Sequence, residues 1–599
     1  MTKESKNRLG FKGIFNWSFL VIVLVGIVFV NIIASFINFR YDATEDKRYS
    51  LSDGTISYLS NENHFKDRIS IKIYLEGNLP AEIKRFRNAV EDKLKEFKQY
   101  TGKRLEYQFI DPMTGNEADQ QALFENLYNK SKGIIPMDVT YLKDGSQSQM
   151  LLWPGAVIDY LGSTVNYVQF IPGTPQGKYY NLNEQFEAQI QNSINNLEYM
   201  LISAIRRSTQ QKKPRIAFIQ GHGELTSAQT QRVRSLISPY YKVEDVYLND
   251  SLDALKDVNG VIIARPTSAY SEKDKYILDQ FLMKGGRLMC FLDKLYLNKD
   301  TLNLTGVTHT MRYNLELDKM LFDYGIKIND NYVLDVRCAP KAIASTKQPL
   351  IPWFFDILAS QSKHPIARNL DPVILRFASE IQFVGNNTNA VSPILTSSTN
   401  STLTGLAPLV SLGISMNYGP KPILVQDPDD EANKICLAGM IEGMFESHFK
   451  NRLVEAFAKN PESKFKEKST KEGKIFVVGN GSFIENKYDS MPDKKGGYLF
   501  RAKAFNELRF DEAMAGIQGM QPLVYGNQEF FQNLVDYMMG DNSVLDLRSK
   551  QIDIHAIDKE KLKLEAGFYK GLNMILPSGI VIVFALVLFY IRKKKYTRN

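Results

Sequence analysis

Two long uncharged runs, one near each end of the chain, constrain this sequence more than any other feature. From Gly13 to Phe39 there are 27 consecutive residues without a charge, and from Gly571 to Ile591 there are another 21. A helix needs about 20 apolar residues to cross the hydrocarbon core of a bilayer, so either run can span it. The apolar core of a cleaved signal peptide is shorter, about 7–15 residues, so the first run reads as an uncleaved anchor. A buried core helix is the plainer alternative; the lengths and the basic flanks argue against it. Pro577 is expected in the first turns of the second span, where its missing N–H costs least.

The formal charge of +8 is distributed in a way that supports this reading. Residues 1–13 hold Lys3, Lys6, Arg8 and Lys12 against Glu4, a net +3, and residues 592–599 hold Arg592, Lys593, Lys594, Lys595 and Arg598, a net +5. The 578 residues between them, 14–591, therefore sum to zero. Lys and Arg concentrate on the cytoplasmic side of membrane spans, so both tails are expected in the cytoplasm and the body between them outside the inner membrane, in the periplasm. The neutral body excludes a basic face spread over the whole protein for nucleic acid. The three cysteines (Cys290, Cys338 and Cys436) have no paired spacing, and no C-x-x-C supports a zinc site. Cys290 and Cys436 lie in apolar runs and read as buried, inert thiols.

Between the spans, the pattern is α/β. After the tail (1–13) and the first span (14–39), a first periplasmic domain is expected over 40–208. Its strand RISIKIYLEG is followed by a helix from Pro80 to Tyr100 with Ile83, Phe86, Val90, Leu94 and Phe97 on one stripe, then by the strand RLEYQFIDP. That order predicts parallel pairing through a right-handed crossover. Short strands near 139–142, 149–158 and 164–171 and a long helix over 183–207 complete it. A doubly wound parallel sheet is expected to begin in 209–300 and close in 471–560, from the runs RIAFIQ, KVEDVYL, GVIIA, RLMCFLD and KIFVVGNGS. The helix after RIAFIQ is expected to be capped near Thr226 or Ser227. Residues 301–470 read as an insertion or appended α+β module. The second span (571–591) and its tail (592–599) follow.

In an open parallel sheet, ligands bind at the carboxyl ends of the strands, near the point where the strand order reverses. Here those ends carry Gln220, His222 and Glu224, then Arg265, Asp293, Asn480 and Ser482, which are expected to face one crevice. Polar residues also stand at strand ends simply because loops begin there. His222 and Glu224 are the right types for an acid/base pair or for weak metal ligation, but no third ligand stands at a readable spacing, so a structural turn is the stronger reading and no metal or cofactor is expected. No nucleophile occupies the strand-to-helix elbow, and Ser482 in GNGSF is a poor match to G-x-S-x-G. No G-x-x-x-x-G-K-[ST] occurs, so the chain is not itself a P-loop ATPase.

The segments RYSLSDGTISYLS, FIQGHGEL, HPIARNLDPV and NQEFFQNLVDYMMGDNSVLDLRSKQI, in this order between two spans, resemble the gliding-motility-associated GldG family of Bacteroidetes-type bacteria. That family is described as an auxiliary, or substrate-binding, component of an ABC transporter. The resemblance implies a partner permease and a separate ATPase subunit, an amidotransferase-like α/β unit without catalysis, and a role in gliding motility and protein secretion, with an envelope or cell-wall partner. It transfers no catalytic residue. Two alternatives belong to other classes: an envelope hydrolase or amidase using the Gln220–Glu224 crevice, and a cell-wall glycan-binding anchor.

Overall fold

The computed structural model describes residues 22, 24–26, 28–29, 50–62, 64, 67–128, 133–143, 146–161, 164–171, 179–181, 184–210, 212–341, 350–368, 370–385, 389–413, 430–452, 465–492, 497–510, 523–540 and 559–596. The chain divides into a unit of residues 1–43 and 49–550 and a unit of residues 44–48 and 551–599.

In the larger unit, the first sheet holds strands in the order Leu105–Phe109, Ile69–Ile73, Gly155–Tyr160, Thr164–Gln169. Ile69–Ile73 pairs in parallel with Leu105–Phe109, and the helix Ala81–Thr101 connects them, as the alternation of patterns predicts. That helix buries Ile83, Phe86, Val90, Leu94 and Phe97, and the helix Glu184–Thr209 buries Phe186, Ile190, Leu197, Leu201 and Ile205 in the same core. Where one strand was expected over 149–158 there are two, Ser146–Leu152 and Gly155–Tyr160. Pro154 supplies no N–H to continue a ladder. Gly155 packs so closely that a Cβ there would lie 2.5 Å from the Val168 carbonyl oxygen.

A larger sheet follows. Its strands β1 (Arg215–Gln220), β2 (Lys242–Tyr247), β3 (Gly260–Ala264), β4 (Arg287–Phe291) and β5 (Gly473–Val478) are parallel and stand in the spatial order 2-1-3-4-5. Side chains alternate between two apolar layers. Ile216, Phe218, Ile262, Phe291 and Phe476 meet Val233 and Ile237 of helix α1 (Gln231–Ile237) and Phe530, Leu534 and Val535 of helix α3 (Asn527–Met538). Ala217, Ile219, Ile263, Leu288 and Val477 meet Ile277, Leu278 and Leu282 of helix α2 (Glu272–Met283). Cover on both faces explains why these strands read as continuous apolar runs. Beyond β5 the sheet continues antiparallel through Cys436–Gly443, Ala390–Thr396, Ile351–Gln361 and Cys338–Lys341, so residues 338–443 extend the sheet that 215–291 begins. Helix α1 starts at Gln231, after a turn over 227–230; Thr226 caps that turn, its Oγ1 accepting from the Gln229 N–H at 3.4 Å while Gln229 Oε1 accepts from the Thr226 N–H at 3.0 Å.

The smaller unit contributes one long helix, Lys559–Tyr596, whose stretch Glu565–Ile591 is long and apolar enough to cross a membrane and has its apolar side chains exposed. Pro577 lies inside this helix, not in its first turn. The preceding KEKLKLEAGFYK is rich in good helix formers, so the helix begins well before the uncharged run does. The expected N-terminal span lies mostly outside the described residues; Ile22, Leu24, Val25, Val28 and Phe29 are helical and exposed.

Candidate functional site

The reversal of strand order falls between β1 and β3, where the chain leaves β1 through Gly221 and Gly223. Both have positive φ (120° and 74°), a region that L side chains rarely adopt. The turn folds the loop back over the strand ends. The Leu225 N–H donates to the Ala264 carbonyl at 2.8 Å, and the Thr267 and Ser268 N–H groups both donate to the His222 carbonyl at 2.9 Å. The approach at Gly223 is so close that a Cβ would sit 2.0 Å from Thr267 Oγ1.

Within this turn the His222 imidazole is held on three sides. Nδ1 lies 3.1 Å from Glu224 Oε1 and Nε2 lies 3.2 Å from Asp274 Oδ2. The ring stacks on Tyr270 with centroids 3.7 Å apart and an 11° tilt. The His222 backbone N–H donates to Glu224 Oε2 at 2.7 Å, and the Tyr270 hydroxyl donates to Glu224 Oε1 at 2.5 Å. Asp274 is placed by the start of α2: Ser271 is the N-cap, its Oγ accepts from the Asp274 N–H, and its hydroxyl donates to Asp274 Oδ2 at 2.8 Å. Burial pushes the imidazole pKa down, but the hydrogen bonds and charges of Asp274 and Glu224 outweigh it and hold the ring up at about 9. The same contacts keep Glu224 and Asp274 below the usual carboxylate range, although burial pulls both up.

At neutral pH this is an imidazolium between two carboxylates. Both ring nitrogens carry protons and both are engaged, so the ring has no lone pair with which to take a proton from a substrate. Gln220 stays with the same loop, its Nε2 donating to the Leu225 carbonyl at 3.1 Å.

Arg265, Asp293, Asn480 and Ser482 form a second group, and no side-chain hydrogen bond among the described residues joins it to the first. Arg265 has φ of 51°, and its N–H donates to the Phe291 carbonyl, which ties the ends of β3 and β4. Its guanidinium reaches Glu485 at 2.5 Å. Asp293 Oδ1 accepts from the Gly481 N–H at 2.6 Å. Burial pushes its carboxyl up, against the pull of that N–H and of the Arg265 charge. Only a glycine fits at 481, because a Cβ would come within 2.7 Å of Arg265 Cγ and 2.9 Å of Asp293 Cγ. Asn480 accepts from the Arg376 N–H at 3.1 Å and donates to Ser482 Oγ at 3.0 Å. Ser482 and Glu485 then border an open cavity of about 590 Å³ whose wall also carries Lys299, Lys341 and Arg376.

The strand-end residues thus fall into two hydrogen-bonded groups of different character. Tyr270 and Asp274 were missed in the first, although Ser271-x-x-Asp274 is a readable helix start that sets Asp274 in the first turn of α2. Lys299, Lys341 and Arg376 were missed in the second, and no motif marks them. The thiols of Cys290, Cys338 and Cys436 form no disulfide, and burial pushes each up to about 12. Among the described residues, no group of three or more His, Cys, Asp or Glu side chains is placed to hold a metal ion.

Set against known proteins, residues 213–511 match the model of a family described as an ABC-type uncharacterized transport system, and residues 45–159 match a domain of unknown function, DUF7088. The first match supports an ABC-transporter auxiliary protein and suggests a transporter-associated accessory role. An uncharacterized protein of Borreliella burgdorferi is 22% identical over 96% of this chain and 97% of its own length. Two solved structures show weak likeness. The mmIFT52 N-terminal domain is 12% identical, with 45% of this chain and 88% of that one covered and a TM-score of 0.27. The exo-beta-1,4-mannosidase Op5Man5 from Opitutaceae bacterium strain TAV5 is 10% identical, with 49% and 39% covered and a TM-score of 0.18. At those scores neither informs the function.

Proposed function

We propose that this chain is a membrane-anchored auxiliary subunit of an ABC transporter complex that serves gliding motility and protein secretion. Two spans hold it in the inner membrane with both termini cytoplasmic. The periplasmic α/β body couples a permease and a separate ATPase to an envelope partner. The observation that carries this reading is the family match over 213–511 in a chain that also has a membrane-length apolar helix at Glu565–Ile591 and lacks a P-loop of its own. The 2-1-3-4-5 order of β1 to β5, with helices covering both faces, supports a doubly wound unit of the amidotransferase-like kind. The engaged imidazolium at His222 supports a non-catalytic role for that unit and weighs against an envelope hydrolase.

Solubilisation in mild detergent followed by affinity purification tests this. A permease and an ATPase are expected to copurify in fixed ratio. Recovery of the chain alone, under conditions that keep other transporter complexes intact, would overturn the proposal.

A further inference from the structure

We propose that the cavity beside Ser482 binds a phosphate-bearing small molecule, with its anionic group between Lys299, Lys341 and Arg376 and its body against Phe377 and Tyr488. This inference does not depend on the transporter reading.

The volume, about 590 Å³, is that of a small-molecule site, which typically spans about 300–1,000 Å³. Its wall carries five cationic side chains, those named together with Lys487 and Lys503, against the carboxylates of Asp356, Glu485 and Glu507. Two of those carboxylates lie against arginines, and Glu507 keeps one oxygen on a backbone N–H while its buried Oε2 has no hydrogen-bond partner among the described residues. Glu485 takes the Arg265 guanidinium, Glu507 accepts from the Lys487 N–H at 3.0 Å, and Asp356 lies 3.8 Å from Arg376 Nε. Among the described residues, neither Lys299 nor Lys341 has a carboxylate within ion-pair distance.

Lys341 is the telling member. It is half-buried, and its Nζ lies 4.8 Å from the centre of the Trp353 ring. Burial pushes its ammonium pKa down, and the charges of Lys299 and Arg376 push it further, against the opposing pull of Asp356. A cation placed where its surroundings disfavour charge is relieved by an incoming anion. Three neighbouring cations suit a phosphate dianion, whose several oxygens can be shared among them, better than a single carboxylate.

The lining also carries Phe377 and Tyr488, and Phe377 is fixed by its packing. Phe377 holds φ at 54°, an unusual conformation for a bulky residue, and its N–H donates to the Phe355 carbonyl at 2.8 Å. Its ring stacks on Phe355 at 5.1 Å and meets Tyr332 at 5.5 Å. Backbone strain of this kind persists where surrounding packing holds it, and it clusters at ligand sites.

The test is calorimetry on the full chain in detergent at constant ionic strength. The probes are inorganic pyrophosphate, glycerol 3-phosphate and a short-chain phosphatidic acid, with acetate as the control anion. Saturable binding of a phosphate probe is expected, weakened about tenfold or more in Lys341→Gln and Lys299→Gln and retained in Lys341→Arg. Lys327→Gln, away from this cavity, is expected to bind as the parent does. Binding of the soluble phosphates points to a free ligand, and binding of the phosphatidic acid alone points to a lipid headgroup. Absence of saturable binding for all three probes, or equal binding by acetate, overturns the proposal. So does binding that Lys299→Gln leaves unchanged, since Lys299 is exposed and its loss does not threaten the fold.

Discussion

The turn after β1 and the cavity beside Ser482 are built from the same raw material, polar residues at the ends of buried strands, and they use it oppositely. In the turn, each charged side chain is held by another: His222 by Glu224 and Asp274, Glu224 also by Tyr270, and Asp274 also by Ser271. One imidazolium against two carboxylates still leaves a net −1, and Asp274 Oδ1 has no hydrogen-bond partner among the described residues. On the cavity wall, Lys299 and Lys341 have no carboxylate at ion-pair distance among the described residues, although the charges of Asp293 and Asp356 are felt there. A cluster whose charged side chains hold one another is structure, whereas one whose cations lack a carboxylate at ion-pair distance is poised for something from outside. Polarity at a strand end does not separate the two cases; whether each charged side chain has a close partner does.

The contrast can be broken by mutation, and the largest effect is expected in the turn. Glu224→Ala leaves a buried imidazolium and the Tyr270 hydroxyl without their partner, and loss of one member of a buried pair costs about 3–5 kcal/mol. Urea unfolding of the solubilised chain measures it, and an unchanged midpoint would show that the cluster is not structural. Gly223→Ala, which forces φ of 74° on a residue with a Cβ and drives that Cβ into Thr267, is expected to cost about 1–3 kcal/mol.

The pH dependence comes next. The His222 pKa is raised from 6.5 to about 9 in the folded chain, so its contribution is complete below pH 6.5 and is lost as pH rises towards 9. Glu224 and Asp274 are depressed, so their contribution is present above their ordinary values of 4.5 and 3.8 and is lost as pH falls through the folded values. Thermal melts across this range are expected to show Tm falling on the alkaline side in the parent chain and a flatter profile in His222→Gln. The smallest effect has the opposite sign. Lys341→Met removes a crowded cation and, without ligand, is expected to leave stability unchanged or raise it by up to about 1 kcal/mol. A clear loss would mean that Lys341 has a structural partner after all.

Much of the fold was readable along the chain because it rests on local pattern. RIAFIQ, GVIIA, RLMCF and KIFVV are continuous apolar runs because both of their faces are covered, and the stripe from Ile83 to Phe97 marks a helix with one buried side. Errors came where a neighbour decided the outcome. Pro154 split a strand, Thr226 capped a turn so that α1 itself began only at Gln231, and the C-terminal helix began before the uncharged run because the charged residues preceding it are themselves helix formers.

The site was readable only in part, for a reason of distance along the chain. The sequence placed Gln220, His222, Glu224, Arg265, Asp293, Asn480 and Ser482 at strand ends, because strand ends follow from hydrophobic runs. It could not say that His222 would meet Asp274, 52 residues away, or that Lys299, Lys341 and Arg376 would line one cavity. What the sequence determined by itself was the pair of apolar runs, the neutral body between charged tails and the buried strands, all of which depend on solvent preference residue by residue. Which charges are neutralised and which are left waiting was decided only by the tertiary structure, because ion pairing depends on separations of a few ångströms between residues that the chain holds far apart.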